Sequence, residues 1–283
     1  MCMGFGCNAA GVVGCRIIDS PRERLIAMLT NSFVPCNGRL PMLISLIGMF
    51  FAGAAGGLSA SIRSAVLLVG VIGLGLLMTF AVSKFLSSTV LKGVPSSFTL
   101  ELPPYRKPQI GQVLIRSVFD RTLFVLGRAA SVAAPAGLVI WLMANVQIQG
   151  ISLLAHCAGF LDPFAQLFGM DGVILLAFIL GLPANEIVIP LIIMAYLSKG
   201  SLVEMADLTA LRALLTDNGW TWVTALCVLI FSLMHWPCST TCLTIKRESQ
   251  SWKWTGAAVL IPTVCGLGLC FVVNGICTLL GVA

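Results

Sequence analysis

The sequence predicts an all-α protein: a polytopic transmembrane helical bundle with two inverted repeats and broken or re-entrant helices. Hydrophobic residues make up 58% of the 283 residues, charged residues only 10%, and the mean hydropathy is +1.00. A soluble domain carries about 25% charged residues, so this chain has too few polar groups to cover a water-facing surface. At roughly 20 apolar residues per crossing, the apolar stretches allow five or six spans.

A basic loop divides the chain into two apolar regions. The predicted regions are 1–86 with two spans, the loop 87–122, and 123–283 with the remaining spans. The individual spans are predicted at 40–57, 62–86, 123–146, 220–234 and 254–279. Basic residues crowd the loop and its flanks, at Lys84, Lys92, Arg106, Lys107, Arg116, Arg121 and Arg128. The positive-inside rule predicts that this loop is cytoplasmic, and without interleaved aromatic residues it gives no reason to expect nucleic acid as a partner.

Residues 172–198 are predicted to form a broken or re-entrant helix. The sequence GLPANE at 181–186 interrupts the apolar run, and each half is too short to cross the bilayer alone. Glycine, proline, an amide and a carboxylate inside a hydrophobic segment are typical of such a break. The weakly apolar segment 151–167 is predicted to be interrupted at Asp162-Pro163 and to lie at the membrane interface or re-enter.

Two parts of the chain repeat the same order of interruptions. GFGCN at 4–8 shares its first glycine and its asparagine with GLPAN at 181–185, and we call each a glycine–asparagine break. Each is followed by a proline–cysteine break, VPCN at 34–37 and WPCS at 236–239. Three predicted spans separate the two copies. Because three is odd, the second copy should be inverted relative to the first, as in transporters whose broken helices meet at a midplane site.

The breaks carry residues suited to a transition-metal ion. The candidate ligands are Cys7, Asn8, Cys36, Asn185, Glu186 and Cys238. Broken helices also leave backbone carbonyls that can coordinate a cation. Soft sulfur with a few oxygens favours a transition metal over calcium or magnesium, and scattered single cysteines suit a path of several weak sites. As the alternative, the cysteines are packed thiols, and Glu186 pairs with Lys199 or caps a helix.

Other chemistry finds no support in the pattern. The sequence contains no GxxxxGK[ST] phosphate loop and no nucleophile–base pair that would indicate hydrolysis, so an enzyme is not expected. No permanently bound cofactor is expected either. His235, beside Trp236, is more typical of an interfacial anchor than of a ligand.

Five motifs, in order, resemble the membrane half of the ferrous iron transport protein B family. They are GFGCN at 4–8, RERLIAMLTNSFVPCNGRLP at 22–41, ELPPYRKP at 101–108, GLPANEIVIP at 181–190 and HWPCSTTCLTIKRE at 235–248. The resemblance implies a multi-pass protein of the bacterial inner membrane that imports Fe(II) through two inverted gate regions. It also implies that Cys7, Cys36 and Cys238 are the gate cysteines, with Asn185 and Glu186 in the second gate motif.

The sequence departs from the family pattern in two respects. Family members begin with a GTP-binding domain, a helical spacer and further membrane helices, whereas this sequence starts almost on GFGCN, and Ala9-Ala10 replaces the usual valine–proline. The expected partners are therefore Fe(II), the lipid bilayer and a separately encoded GTP-binding half, with a homo-oligomer left open. The alternatives are a gate-type transporter of a nucleoside or another divalent metal, and a non-transporting scaffold or degenerate fragment.

Overall fold

The predicted all-α class is confirmed in the computed structural model, which describes residues 2–52, 57–93, 124–148, 150–198, 200–202 and 207–281 and single residues 111, 115 and 205. Their α-helices are α1 Asn8–Gly14, α2 Pro21–Thr30, α3 Leu40–Leu46, α4 Leu58–Ser88, α5 Phe124–Asn145, α6 Leu153–Gln166, α7 Gly172–Leu180, α8 Val188–Tyr196, α9 Leu208–Asp217, α10 Trp222–Met234, α11 Ser239–Ser249 and α12 Trp252–Leu279. Strands β1 Gln147–Ile148 and β2 Ile151–Ser152 form one antiparallel pair.

Three helical stretches are long and apolar enough to cross a membrane. They are Leu58–Ser88, Trp222–Ser249, which is interrupted at 235–238, and Trp252–Leu279. Exposed apolar side chains follow the long helices, for example Phe80 on α4 and Phe271 on α12, as expected for surfaces in contact with lipid. The chain is thus a membrane protein, while five or six spans and the three predicted regions remain predictions. The loop arginines 106, 116 and 121 lie outside the described residues.

Shorter apolar helices fill the space between the long ones. They are Leu40–Phe51, Ala130–Asn145 and Asn185–Tyr196. The first begins as α3 and widens into a π-helical turn at Ile47–Ala52, so the predicted span 40–57 is less regular than its composition suggests. The predicted break in 172–198 is confirmed, since α7 ends at Leu180 and a 3-10 turn at Asn185–Ile187 precedes α8.

The predicted interruption at Asp162-Pro163 is wrong. Helix α6 continues through Pro163 to Gln166. The Asp162 carboxylate accepts hydrogen bonds from the Gly172 backbone N–H at 2.9 Å and from the Gln166 side chain at 2.6 Å. The bond to Gly172 fixes the start of α7 against α6. Asp162-Pro163 resembles the end of a helix in the sequence, but in the structure the aspartate makes a contact to the next helix and α6 continues.

Two apolar cores hold the breaks in place. One is built mainly from α7, α8 and α10, with Phe178 and Phe231 packed edge to face at 4.9 Å. The other joins the N-terminal copy to the C-terminal helices, and contains Phe33 and Leu233, which are both fully buried. The second core therefore brings the regions before the two proline–cysteine breaks into one interior.

Candidate functional site

In each copy, the two breaks are joined by a backbone hydrogen bond. The Asn37 N–H donates to the Gly6 carbonyl at 3.4 Å in the first copy. The Ser239 N–H donates to the Leu182 carbonyl at 2.8 Å in the second. In both copies the residue after the cysteine thus donates to the glycine–asparagine break, although the acceptor is the third residue of GFGCN in the first copy and the second residue of GLPAN in the second. The predicted internal repeat is present in this pairing, while the inverted orientation of the second copy remains a prediction.

The two glycine–asparagine breaks share their backbone conformation at the residue before the asparagine. Cys7 has φ −156° and ψ 125°, and Ala184, at the equivalent position, has φ −151° and ψ 121°. Each is followed by a buried asparagine that begins a helical segment and reaches its own proline–cysteine break. The side-chain nitrogen of Asn8 donates to the Val34 carbonyl at 3.2 Å, and Asn185 Oδ1 lies 3.2 Å from His235 Nε2.

Arg39 connects the two copies. It follows the first proline–cysteine break and is only 1% exposed. Its guanidinium donates to the Ser32 carbonyl at 2.9 Å within its own copy. It also donates to three carbonyls at the end of α10 in the second copy, those of Leu233 at 2.9 Å, Trp236 at 3.1 Å and His235 at 3.3 Å. One buried cation thus spans both proline–cysteine breaks.

The predicted sulfur ligands have three different environments. Cys7 is exposed, and Cys36 is buried. Cys238 is half-buried, with its Sγ 3.2 Å from Thr241 Oγ1. Cys36 and Cys238 are both within electrostatic range of the Arg39 guanidinium. The two inner thiols therefore belong to one junction, while Cys7 lies at its accessible side.

The predicted oxygen ligands also differ in their exposure. Asn8 and Asn185 are buried and hold the breaks together. Glu186 is exposed and lies over Gly38, where an added Cβ would meet its Cγ and Oε1 at 3.1 Å. Gly38 follows directly after the first proline–cysteine break, so the carboxylate of the second copy covers the break of the first.

The junction is not a closed metal cage. No group of three or more His, Cys, Asp or Glu side chains that could hold an ion occurs in the part of the chain that the structure describes. The expectation that broken helices leave their carbonyls free also needs correction. The carbonyls of Leu233, His235 and Trp236 are taken by Arg39, because a charged donor satisfies them better than lipid could.

Sequence reasoning missed two residues of the junction. Arg39 is not among the predicted ligands, although it stands at the start of an apolar helix, which is a signal that a charge is used internally. His235 is 1% exposed rather than an interfacial anchor. Its Nδ1 faces the carbonyls of Ser232 and Phe231 at 2.9 and 3.2 Å.

Asn185→Ala is expected to destabilise the protein, because it leaves a buried ring nitrogen of His235 without its partner. Such an unsatisfied group costs about 1–3 kcal/mol, so the unfolding temperature in detergent should fall by several degrees. Asn218→Ala is the matched control, since that exposed amide binds only the Leu214 carbonyl at the end of α9. An equal decrease in both variants would contradict the role assigned to Asn185.

The fold and the junction define a helical membrane protein with gate-type repeats. Residues 126–252, which contain both breaks of the second copy, match the Gate family model, described as "Nucleoside recognition". Residues 68–120 match a model described as "Ferrous iron transport protein B C terminus".

Curated relatives point to the same family. The chain is 30% identical to the Fe(2+) transporter FeoB of Staphylococcus aureus (strain MSSA476), over 96% of this chain and 39% of the relative. It is 26% identical to the Fe(2+) transporter FeoB of Methanocaldococcus jannaschii, over 99% of this chain and 41% of the relative. The resemblance to the membrane half of the ferrous iron transport protein B family is thus confirmed. The chain spans about two fifths of the length of these relatives, and no solved structure matches it.

Proposed function

We propose that the chain is the membrane part of a ferrous iron importer, in which Fe(II) crosses the junction of the four breaks. The observation that carries this proposal is the pairing of equivalent breaks in two copies, with a cysteine beside each proline. Its similarity to Fe(2+) transporters supports the choice of ion. The protein would be a multi-pass component of the bacterial inner membrane.

The ion would meet its ligands in sequence rather than in one cage. Cys7 and Glu186, which are exposed, would make the outer contacts, and Cys36 and Cys238 the inner ones. Asn8 and Asn185 hold the breaks together, so their oxygens would reach the ion only when those hydrogen bonds exchange. Several weak sites in series let an ion enter and leave, which a tight cage would prevent.

The energy for import would come from a separate GTP-binding half. The relatives are longer than this chain, and the remainder of their length is where a resemblance to the family places the GTP-binding domain. A homo-oligomer would be tested by co-purification of an untagged copy of the chain with a tagged copy.

A nucleoside is the weaker candidate substrate. A cavity of about 330 Å³ adjoins the second glycine–asparagine break, where Pro183, Ala184 and Ile187 line it. Its opposite wall, from α5, is also apolar, with Ala133, Ala136 and Ile140. A sugar and a base need several placed polar groups, and this lining does not supply them.

Cys238→Ser is expected to lower Fe(II) uptake by about tenfold or more, the range found when a group supporting a metal contact is lost. Anaerobic radio-iron uptake would be measured in bacteria that lack their own ferrous importers. The chain would be produced alone and with the GTP-binding half.

Cys265→Ser is the matched control, because that thiol lines a groove between α4 and α12 away from the breaks. Uptake that needs both halves and falls only in Cys238→Ser supports the proposal. Equal uptake by both variants would remove Cys238 from the path, and inhibition by excess nucleoside would favour the other substrate.

A further inference from the structure

Arg39 is a buried charge that has no carboxylate partner among the described residues. Among the described residues, the ion pair that occurs joins Arg16 to Glu248, at the exposed edge of α11. The guanidinium of Arg39 is instead surrounded by backbone carbonyls, with the thiols of Cys36 and Cys238 within electrostatic range. A charge buried among dipoles alone is costly unless it is functional or very well satisfied.

The hydrogen bonding of this junction is incomplete. Four buried side-chain atoms in the described residues have no hydrogen-bond partner. One, Asn31 Oδ1, lies at the first glycine–asparagine break, and the other three belong to Arg39 or to residues whose carbonyls it binds: Ser32 Oγ, Arg39 Nε and Trp236 Nε1. A purely structural arginine in a membrane protein would be expected to use all its donors, because each unsatisfied group is expensive there. The hydrogen bonds around Arg39 are thus less complete than a purely structural link between the two copies would require.

The carbonyls bound by Arg39 are the type of ligand that a permeating cation uses. They lie at the C-terminal end of α10, where the helix dipole adds partial negative charge. A cation at the Cys36 and Cys238 thiols would lie within electrostatic range of the guanidinium and be repelled by it. Binding of an ion at these carbonyls and thiols should therefore weaken the hydrogen bonds of the guanidinium, and the guanidinium should weaken binding of the ion.

We propose that Arg39 is a tethered cation that occupies the carbonyl cluster of Leu233, His235 and Trp236, and that the transported divalent cation competes with it. Arg39 is a positioning residue: it links the two copies until an ion arrives, and its withdrawal frees the carbonyls for the ion. This inference rests on the proposed function, because it assigns the regulation of the same junction.

The test measures protection of Cys238 from alkylation by Fe(II). Membranes containing the full chain are treated anaerobically with a maleimide at increasing Fe(II), and modification of the Cys238 peptide is read by mass spectrometry. For each variant, the rate is normalised to its own rate without metal, so that changes in thiol reactivity cancel. The quantity compared is the Fe(II) concentration that gives half protection.

Neutral variants should bind the ion more tightly. In Arg39→Met the half-protecting Fe(II) concentration is expected to fall about tenfold, which corresponds to roughly 1.4 kcal/mol. Arg39→Gln should give a decrease in the same direction, and it carries the test if the methionine variant does not accumulate. Arg39→Lys keeps the tethered charge and should stay within about threefold of the wild type.

Arg24→Met is the matched control and should leave the value unchanged, because among the described residues that half-buried guanidinium donates its hydrogen bonds to the Ile18 carbonyl of its own copy. Equal half-protecting concentrations in wild type and in both neutral variants would overturn the competition while leaving Fe(II) binding intact. A wild-type protein whose Cys238 is not protected by Fe(II) at all would overturn the proposed function itself, and the competition with it.

Discussion

Gly172→Ala is expected to prevent the protein from accumulating in its folded form. Gly172 begins α7 where this helix crosses α6, and an added Cβ would lie 1.9 Å from the Ala158 carbonyl oxygen and 2.8 Å from the Asp162 nitrogen. Both are backbone atoms, so no side chain can move aside. Alanine gains about 1 kcal/mol in helix propensity over glycine, but overpacking of this severity costs about 3 kcal/mol or more.

Gly159→Ala provides the comparison. Gly159 lies in α6 of the same helical hairpin, and an added Cβ would meet no atom within 4 Å. Helix propensity favours alanine in both variants, more in the interior of α6 than at the first residue of α7, and this difference is small beside the expected cost of the contact. The amount of protein in the membrane and its unfolding temperature would be measured for both. A Gly172→Ala protein as abundant and stable as Gly159→Ala would show that the crossing of α6 and α7 is not as close as described.

Gly75→Ala is expected to displace α4 from both proline–cysteine breaks. An added Cβ would lie 2.6 Å from the Phe33 carbonyl oxygen of the first copy and 3.3 Å from Leu233 Cδ1 of the second. The Phe33 carbonyl cannot move away without displacing the proline–cysteine break that follows it. We therefore expect a loss of stability of about 1–3 kcal/mol, despite the better helix propensity of alanine, and a decrease in Fe(II) uptake.

The control lies two residues away in the same helix. An added Cβ at Gly73 meets nothing within 4 Å, so Gly73→Ala should be neutral or slightly stabilising. The unfolding temperature and the radio-iron uptake should therefore fall in Gly75→Ala and stay at or slightly above the wild-type values in Gly73→Ala. If both variants behave alike, the close approach of α4 to Phe33 has no energetic consequence.

The breaks could be predicted from the sequence because their causes are local. An apolar run interrupted by GLPAN must place unpaired backbone groups inside the membrane, and the structure has the interruption at that position. The supposed stop at Asp162-Pro163 could not be judged locally. The Asp162 carboxylate is used ten residues further on, where the Gly172 N–H donates a hydrogen bond to it, and α6 continues to Gln166.

For the candidate site as well, the local pattern was predictable and the long-range contacts were not. Cysteines and asparagines at repeated breaks are visible as a pattern, and the structure brings the two breaks of each copy together. The role of Arg39 was not predictable in this way. Its partners Leu233 and Trp236 are remote in sequence, so only the packing of the two copies shows which carbonyls it binds.

The bonds that close each copy have a consequence for how such a protein diverges. They run from the Asn37 and Ser239 amides to the Gly6 and Leu182 carbonyls, and so use main-chain atoms alone. Almost any side chain at these positions leaves the bond intact, except a proline at either donor. Two such halves can therefore differ widely in composition and still keep this main-chain link. Cys7 and Ala184 are an example: they differ in side chain, yet both have the extended backbone that precedes the asparagine of the break.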